Sequence, residues 1–117
     1  MEKISSKIIE EDVLVRIFVD EKEKLHGKPV YEAILLKAKE IGLAGATVTR
    51  CVMGFGADKR MRSAKILDLS DNLPFVVEIV DQEENIERFI PFLDENLKDG
   101  FITMEKVHVI KYRHKKD

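Results

Sequence analysis

Residues 73–80, LPFVVEIV, form the most β-rich run in the chain and read as a central strand around which the rest must be laid. Asp81, with Glu84 three residues on, resembles an N-cap and capping box. Ile86, Phe89, Ile90, Leu93 and Leu97 then recur at helical intervals, which makes an amphipathic helix. Pro91 lies inside that pattern and costs about 3 kcal/mol in a straight helix, so a kink is expected there. Asp99 and Gly100 end the helix. Residues 101–112 make a last strand, with Val107 and Val109 on one face and His108, Ile110 and Tyr112 on the other.

Upstream, residues 12–19 alternate. Val13, Val15, Ile17 and Val19 point one way, and Leu14, Arg16 and Phe18 the other, as in a strand with one face in a core. Residues 1–11 show no clean period and read as a loosely docked N-terminal arm, and 113–117, RHKKD, as a polar tail. DEKEKLHGK is a solvated connection. Pro29 suits the first turn of a helix, because the N–H it lacks has no partner there. Val30, Ala33, Ile34, Ala38 and Ile41 follow at helical spacing, and Gly42 stops a helix predicted over 28–42. A second strand covers 45–53. Residues 54–72 make a projecting loop and return arm, in which AKILDL at 64–69 is strand-like and Ser70, Asp71 and Asn72 have turn chemistry.

The order strand–helix–strand–strand–helix–strand is the ferredoxin-like split βαβ arrangement, an α+β sandwich. Right-handed crossovers put both helices on one face of a four-stranded antiparallel sheet. The opposite face carries Leu14, Phe18, Val76 and Val80, too apolar to stand in water, which points to self-association. At 117 residues the chain fits one domain, 1–117. The net charge of −2 does not indicate general attraction to nucleic acid or anionic membrane. No apolar run approaches the roughly 20 residues of a membrane span, and MEKISSKIIEED is unlike a signal peptide. With the single cysteine, Cys51, excluding an intrachain disulfide, the expected location is cytoplasmic.

The chemistry gathers in GATVTRCVMGFGADKRMRSAK, residues 45–65. A β-branched strand breaks at Gly54, Phe55 and Gly56 and runs into a loop holding Lys59, Arg60, Arg62 and Lys65, opposed only by Asp58. The two glycines either let backbone pass close to a ligand or mark a bulge and hairpin exit with Phe55 packed inward. The cations are either a solvated loop or a contact for phosphate or an acidic partner, since cations beside backbone N–H groups suit anions. No aromatic residue interleaves with them, which disfavours nucleic acid. His26, His108 and His114 show no ligand spacing, so no metal is expected. Cys51 reads as a buried, mid-strand hydrophobe. No carboxylate is placed beside a histidine, so no catalytic residues are assigned.

GKPVYEAI, GLAGATVTRCVMGFGADKR and LPFVVEIVDQEENIERFIPFLDENL together resemble PII-like signalling proteins, and most closely a small PII-related family of unknown function. The resemblance spans about 12–112. It implies a homotrimer with sheets facing inward and adenine nucleotide (ADP, AMP or ATP) in clefts between subunits. It places Gly54, Phe55 and Gly56 in the cleft backbone, and Gly45, Ala46 and Thr47 against the base from the neighbouring subunit. Asp99 and Gly100 fall at the phosphate loop, and Arg113 near an arginine that reaches phosphate from the adjacent subunit. The chain also departs from that pattern. Asp58 stands where a PII protein has the glutamine that helps hold magnesium, and KDGF is shorter than the family's phosphate loop. The basic loop has no tyrosine to modify. An extra residue between Thr47 and Gly54 suggests a β-bulge. The expectation is a non-enzymatic regulator that signals through Asp58, Lys59, Arg60, Arg62 and Lys65 to a partner protein. Two alternatives stand beside it: an interaction module with a vestigial cleft, and a metal-responsive trimer like the divalent-cation-tolerance proteins.

Overall fold

The computed structural model describes residues 4–64 and 72–115. Strand β1 runs Ile4–Asp20 and leads through the two-residue strands β2 (Lys24–Leu25) and β3 (Lys28–Pro29) to helix α1 (Val30–Glu40). Strand β4 (Gly45–Arg50) is followed by the short pair β5 (Met53–Gly54) and β6 (Arg62–Ser63). Strand β7 (Pro74–Asp81), helix α2 (Glu83–Asn96) and strand β8 (Phe101–Lys115) complete the chain. The sheet order β4-β7-β1-β8 is antiparallel throughout, which is the expected ferredoxin-like α+β topology.

The period of two decides which side of the sheet is dry. Along β7, Phe75, Val77 and Ile79 are buried while Val76 and Val80 are only half-buried. Val13, Val15, Ile17 and Val19 of β1 join them. Both helices close over this face, α1 through Val30, Ile34 and Ala38, and α2 through Ile86, Phe89 and Leu93. Each set repeats at three- or four-residue intervals, so each helix offers one stripe. The fully buried Phe89 contributes about 2–3 kcal/mol by leaving water.

Among the described residues, no helix covers the opposite face. It carries half-buried Leu14, Phe18, Val76 and Val80, with Phe18 stacked on Phe101 at 4.6 Å between ring centroids. Arg16 crosses this face to bond Glu78 at 2.9 Å and Glu105 at 2.7 Å.

Several local expectations are corrected. Residues 4–11 are part of β1 and not a loose arm. They pair with β8 from Ile4↔Lys115 to Glu11↔His108, and β8 likewise carries 113–115 of the expected tail. β7 joins β1 only from Val13, so the outer halves of β1 and β8 form a two-stranded ribbon beyond the sheet. Pro29 is the N-cap of α1 and the helix begins at Val30. Asp81 closes β7, and Gln82 is the N-cap of α2, without a side-chain cap bond. Asp81 instead accepts hydrogen bonds from the N–H of Ala44 (2.9 Å), the N–H of Gln82 (2.6 Å) and Nδ2 of Asn85 (3.0 Å), tying β4, β7 and α2 together. The second strand ends at Arg50, so Cys51 lies beyond it, half-buried. In place of a bulge, the chain leaves the sheet there and Met53–Gly54 pairs with Arg62–Ser63. Lys65, the strand-like 65–69 and the turn at Ser70 and Asp71 lie outside the described residues.

Candidate functional site

The departure of the chain from the sheet at Cys51 creates the site. The N–H of Cys51 still bonds the carbonyl of Pro74 at 2.9 Å, which keeps the exit beside the start of β7. The β5/β6 neck, extended by Ala64 N–H to the Val52 carbonyl at 2.9 Å, closes residues 55–61 into a compact loop. Between this neck, the end of β1 and the start of β8 lies a cleft of about 810 Å³, a volume suited to a small-molecule ligand.

Two glycines let the walls approach. A side chain at Gly54 would meet Pro74 Cγ at 3.2 Å. One at Gly100 would meet the Phe18 carbonyl oxygen at 2.3 Å, and its φ of +119° lies where only glycine is at ease. Gly56 has open space around it and no such requirement. Phe55 is 58 % exposed rather than packed inward, and Lys59 Nζ lies 5.8 Å above its ring.

The cleft therefore brings together Gly54, Phe55, Gly56, Asp58, Arg62, Asp99 and Gly100, seven of the expected residues. It does not include Gly45, Ala46 and Thr47, which pair with Val80, Ile79 and Glu78 at the other end of β4. Arg113 is opposite Ser6 on the outer ribbon, twelve residues along β8 from the cleft-lining Phe101, or roughly 40 Å of extended strand. Lys59 and Arg60 are exposed on the loop and line no part of it. Arg62 lines the cleft, its side chain only 12 % exposed.

Sequence reasoning missed the contribution of β1. Asp20, Lys22 and Glu23 line the cleft, although DEKEK reads as a solvated connection. The only sequence signal was their position directly after a core strand. They change the electrostatics. The lining acids Asp20, Glu23, Asp58 and Asp99 face the cations Lys22 and Arg62. Burial, then the neighbouring Asp99 and Asp20 charges, push the Glu23 carboxyl up, and its buried Oε2 has no hydrogen-bond partner among the described residues. Arg62 holds the Asp58 carboxyl below the usual range, assisted by the Arg60 N–H. Asp58 in turn raises Arg62. A polyanion could not rely on this protomer's side chains alone; the apolar walls from Phe18, Phe101, Met53 and Pro74 suit a flat, uncharged ring better. Among the described residues no group of three or more His, Cys, Asp or Glu is placed to hold a metal ion, and no helix is long and apolar enough to cross a membrane.

Comparison with known proteins agrees with this architecture. The family DUF190 (Uncharacterized ACR) matches residues 12–109. A UPF0166 protein of Aquifex aeolicus is 47 % identical over 97 residues, covering 83 % of this chain and 91 % of the relative. A UPF0166 protein of Methanocaldococcus jannaschii is 37 % identical over 99 residues, covering 84 % and 91 %. Among solved structures, CPII of Thiomonas intermedia K12, a nitrogen regulatory PII-like protein bound to ADP, AMP and bicarbonate, superposes with a TM-score of 0.59 at 17 % identity, over 87 % of this chain and 91 % of that one. A protein of Thermus thermophilus described as PII-like and signalling gives 0.59 at 18 % identity, over 86 % and 90 %. At these identities the structural likeness establishes the fold alone. With a family match across most of its length and relatives of up to 47 % identity, the chain belongs to the DUF190 (UPF0166) family and carries a PII-like fold.

Proposed function

We propose that this protein is a non-enzymatic, cytoplasmic regulator that binds an adenine nucleotide in the cleft and signals through the 55–61 loop to a partner protein. One observation carries the reading. The residues that wall the cleft, Gly54 to Asp58 and Arg62, are also the root of the basic loop, so a ligand there touches the loop directly and shifts it by as much as its affinity differs between the loop's two states. CPII, which shares the fold, is bound to ADP and AMP, and this supports the choice of ligand class. In a homotrimer packed through the helix-free face, Gly45, Ala46, Thr47 and Arg113 of a neighbouring subunit would complete the cleft. Their distance from it within one protomer is consistent with that arrangement. Lys59 and Arg60, exposed at the loop tip, would meet an acidic surface of the partner.

Calorimetric titration with ATP, ADP, AMP and cyclic AMP tests the reading. Heat with at least one is expected, and no heat or thermal shift with any of them would reject it. A second reading has a specific observation behind it: the excess of acids in the cleft favours an interaction module whose cleft no longer takes nucleotide. Under that reading the protein still self-associates while all four titrations are silent. A stability gain on adding zinc or copper alone would favour the metal-responsive alternative.

A further inference from the structure

Arg62 is held by carboxylates from two different parts of the molecule. Its guanidinium makes a fork on Asp58, Nη1 to Oδ1 at 3.3 Å and Nη2 to Oδ2 at 3.1 Å, and Nη2 also lies 3.5 Å from Oδ2 of Asp20 at the end of β1. The same two residues organise the loop tip. Asp58 Oδ1 accepts from the Arg60 N–H at 2.9 Å, and Arg62 Nη1 donates to the Arg60 carbonyl at 3.2 Å. Between them Lys59 is fixed at φ +61°, a left-handed conformation that a lysine does not favour, with its N–H on the Gly56 carbonyl at 2.9 Å.

We infer that Arg62 is the ligand-contacting latch of the loop: a phosphate group entering the cleft takes the guanidinium from Asp58 and Asp20, and this frees the turn carrying Lys59 and Arg60. The inference rests on the nucleotide reading above. A phosphate presents the planar fork with the same bidentate geometry as a carboxylate and with more charge. Letting go is cheap on the protein side, because the Asp20 and Asp58 side chains are 45 % and 55 % exposed and water takes over their hydrogen bonds. Departure of Arg62 removes its bond to the Arg60 carbonyl and leaves Asp58 without its anchor, so occupation of the cleft is read out at the exposed tip.

The test uses the full chain with ADP as the probe and two readouts, calorimetric affinity and the rate of tryptic cleavage after Lys59 and Arg60. R62Q is expected to bind ADP about tenfold or more weakly, and R62K to recover part of that loss. D58N takes away one of the two carboxylates on Arg62 and leaves the arginine in place, so it should bind ADP up to about fivefold more tightly than the parent and be cleaved faster than the parent before any ADP is added. In the parent, ADP should accelerate cleavage. Melting curves confirm that each variant is folded, and D58N carries the test if R62Q is not. Undiminished ADP binding by R62Q overturns the latch while leaving the nucleotide reading intact, as does cleavage of D58N at the parent's slow rate. No heat from the parent with ADP, ATP, AMP or cyclic AMP overturns both.

Discussion

Asp12 lies in β1 next to the point where pairing with β7 begins. It is 1 % exposed, and neither carboxylate oxygen has a hydrogen-bond partner among the described residues. Burial pushes its pKa up, the Glu10 and Asp81 charges add to this, and Lys111 opposes it. A carboxyl whose folded pKa is raised gives stability that is full below the unfolded value and lost as pH rises through the folded one. At neutral pH Asp12 therefore works against the fold, and D12N should melt higher at pH 7, the gain closing as pH falls toward about 4. A lower melting temperature for D12N at pH 7 would contradict this. Gly100 is the converse case of a residue with no tolerated substitute. G100A should lose about 2 kcal/mol or more, roughly 6–12 °C in melting temperature, because its Cβ meets the Phe18 carbonyl in a backbone conformation alanine avoids. The sequence marked Gly54 and Gly100 as special but not why. Each is required by a segment distant in sequence, Pro74 or Phe18, which comes close only through sheet register.

Helix α2 runs unbroken from Glu83 to Asn96 with Pro91 inside it. The position is exposed, so the carbonyl of Glu87 that loses its helical donor can turn to water. P91A should therefore stabilise the protein by about 1–2 kcal/mol, less than the full helical penalty because proline also stiffens the unfolded chain. Urea denaturation would show it as a higher midpoint with unchanged slope, and an unchanged or lower midpoint would mean the proline fits its site. At this scale the core elements were legible: the strand expected at 73–80 is observed at Pro74–Asp81, and the buried set Val13, Val15, Ile17, Val19 is the one its alternation indicated. The outer halves of β1 and β8 were not. Ser6 to Ile9 and His108, Ile110, Tyr112 and Arg113 are exposed, so no dry face imposed a period of two on SSKIIEED. The cleft was half legible for a related reason. The GFG run announces a break in local sequence, whereas Asp20 and Glu23 reach the same space only after β1 and β8 have paired.

The molecule as a whole is too long for its size. Its radius of gyration is 17.1 Å and its extents are 57 × 31 × 26 Å, against about 13 Å for the radius of a compact chain of this length. The ribbon accounts for the length and leaves Ile9 and Tyr112 62 % and 72 % exposed, while Leu14, Phe18, Val76 and Val80 are only half-buried on the sheet. Association through the helix-free face would cover the sheet with copies of itself and carry each ribbon past a neighbour. Light scattering should then give a mass well above the 13.5 kDa of one chain. V76E puts a charge into that contact at a position that does not itself line the cleft, although its strand partner Phe18 does. It should shift the mass toward 13.5 kDa and, if Gly45 to Thr47 and Arg113 act from the neighbour, abolish ADP binding in the same sample. Retained ADP affinity in a single-chain V76E would place the whole site within one protomer, with Arg62 and the walls of β1 and β8 sufficient for it. A parent protein that already scatters as one chain would remove the neighbour from the proposal altogether, because nothing would then bring Arg113 across the roughly 40 Å of β8 that separate it from the cleft.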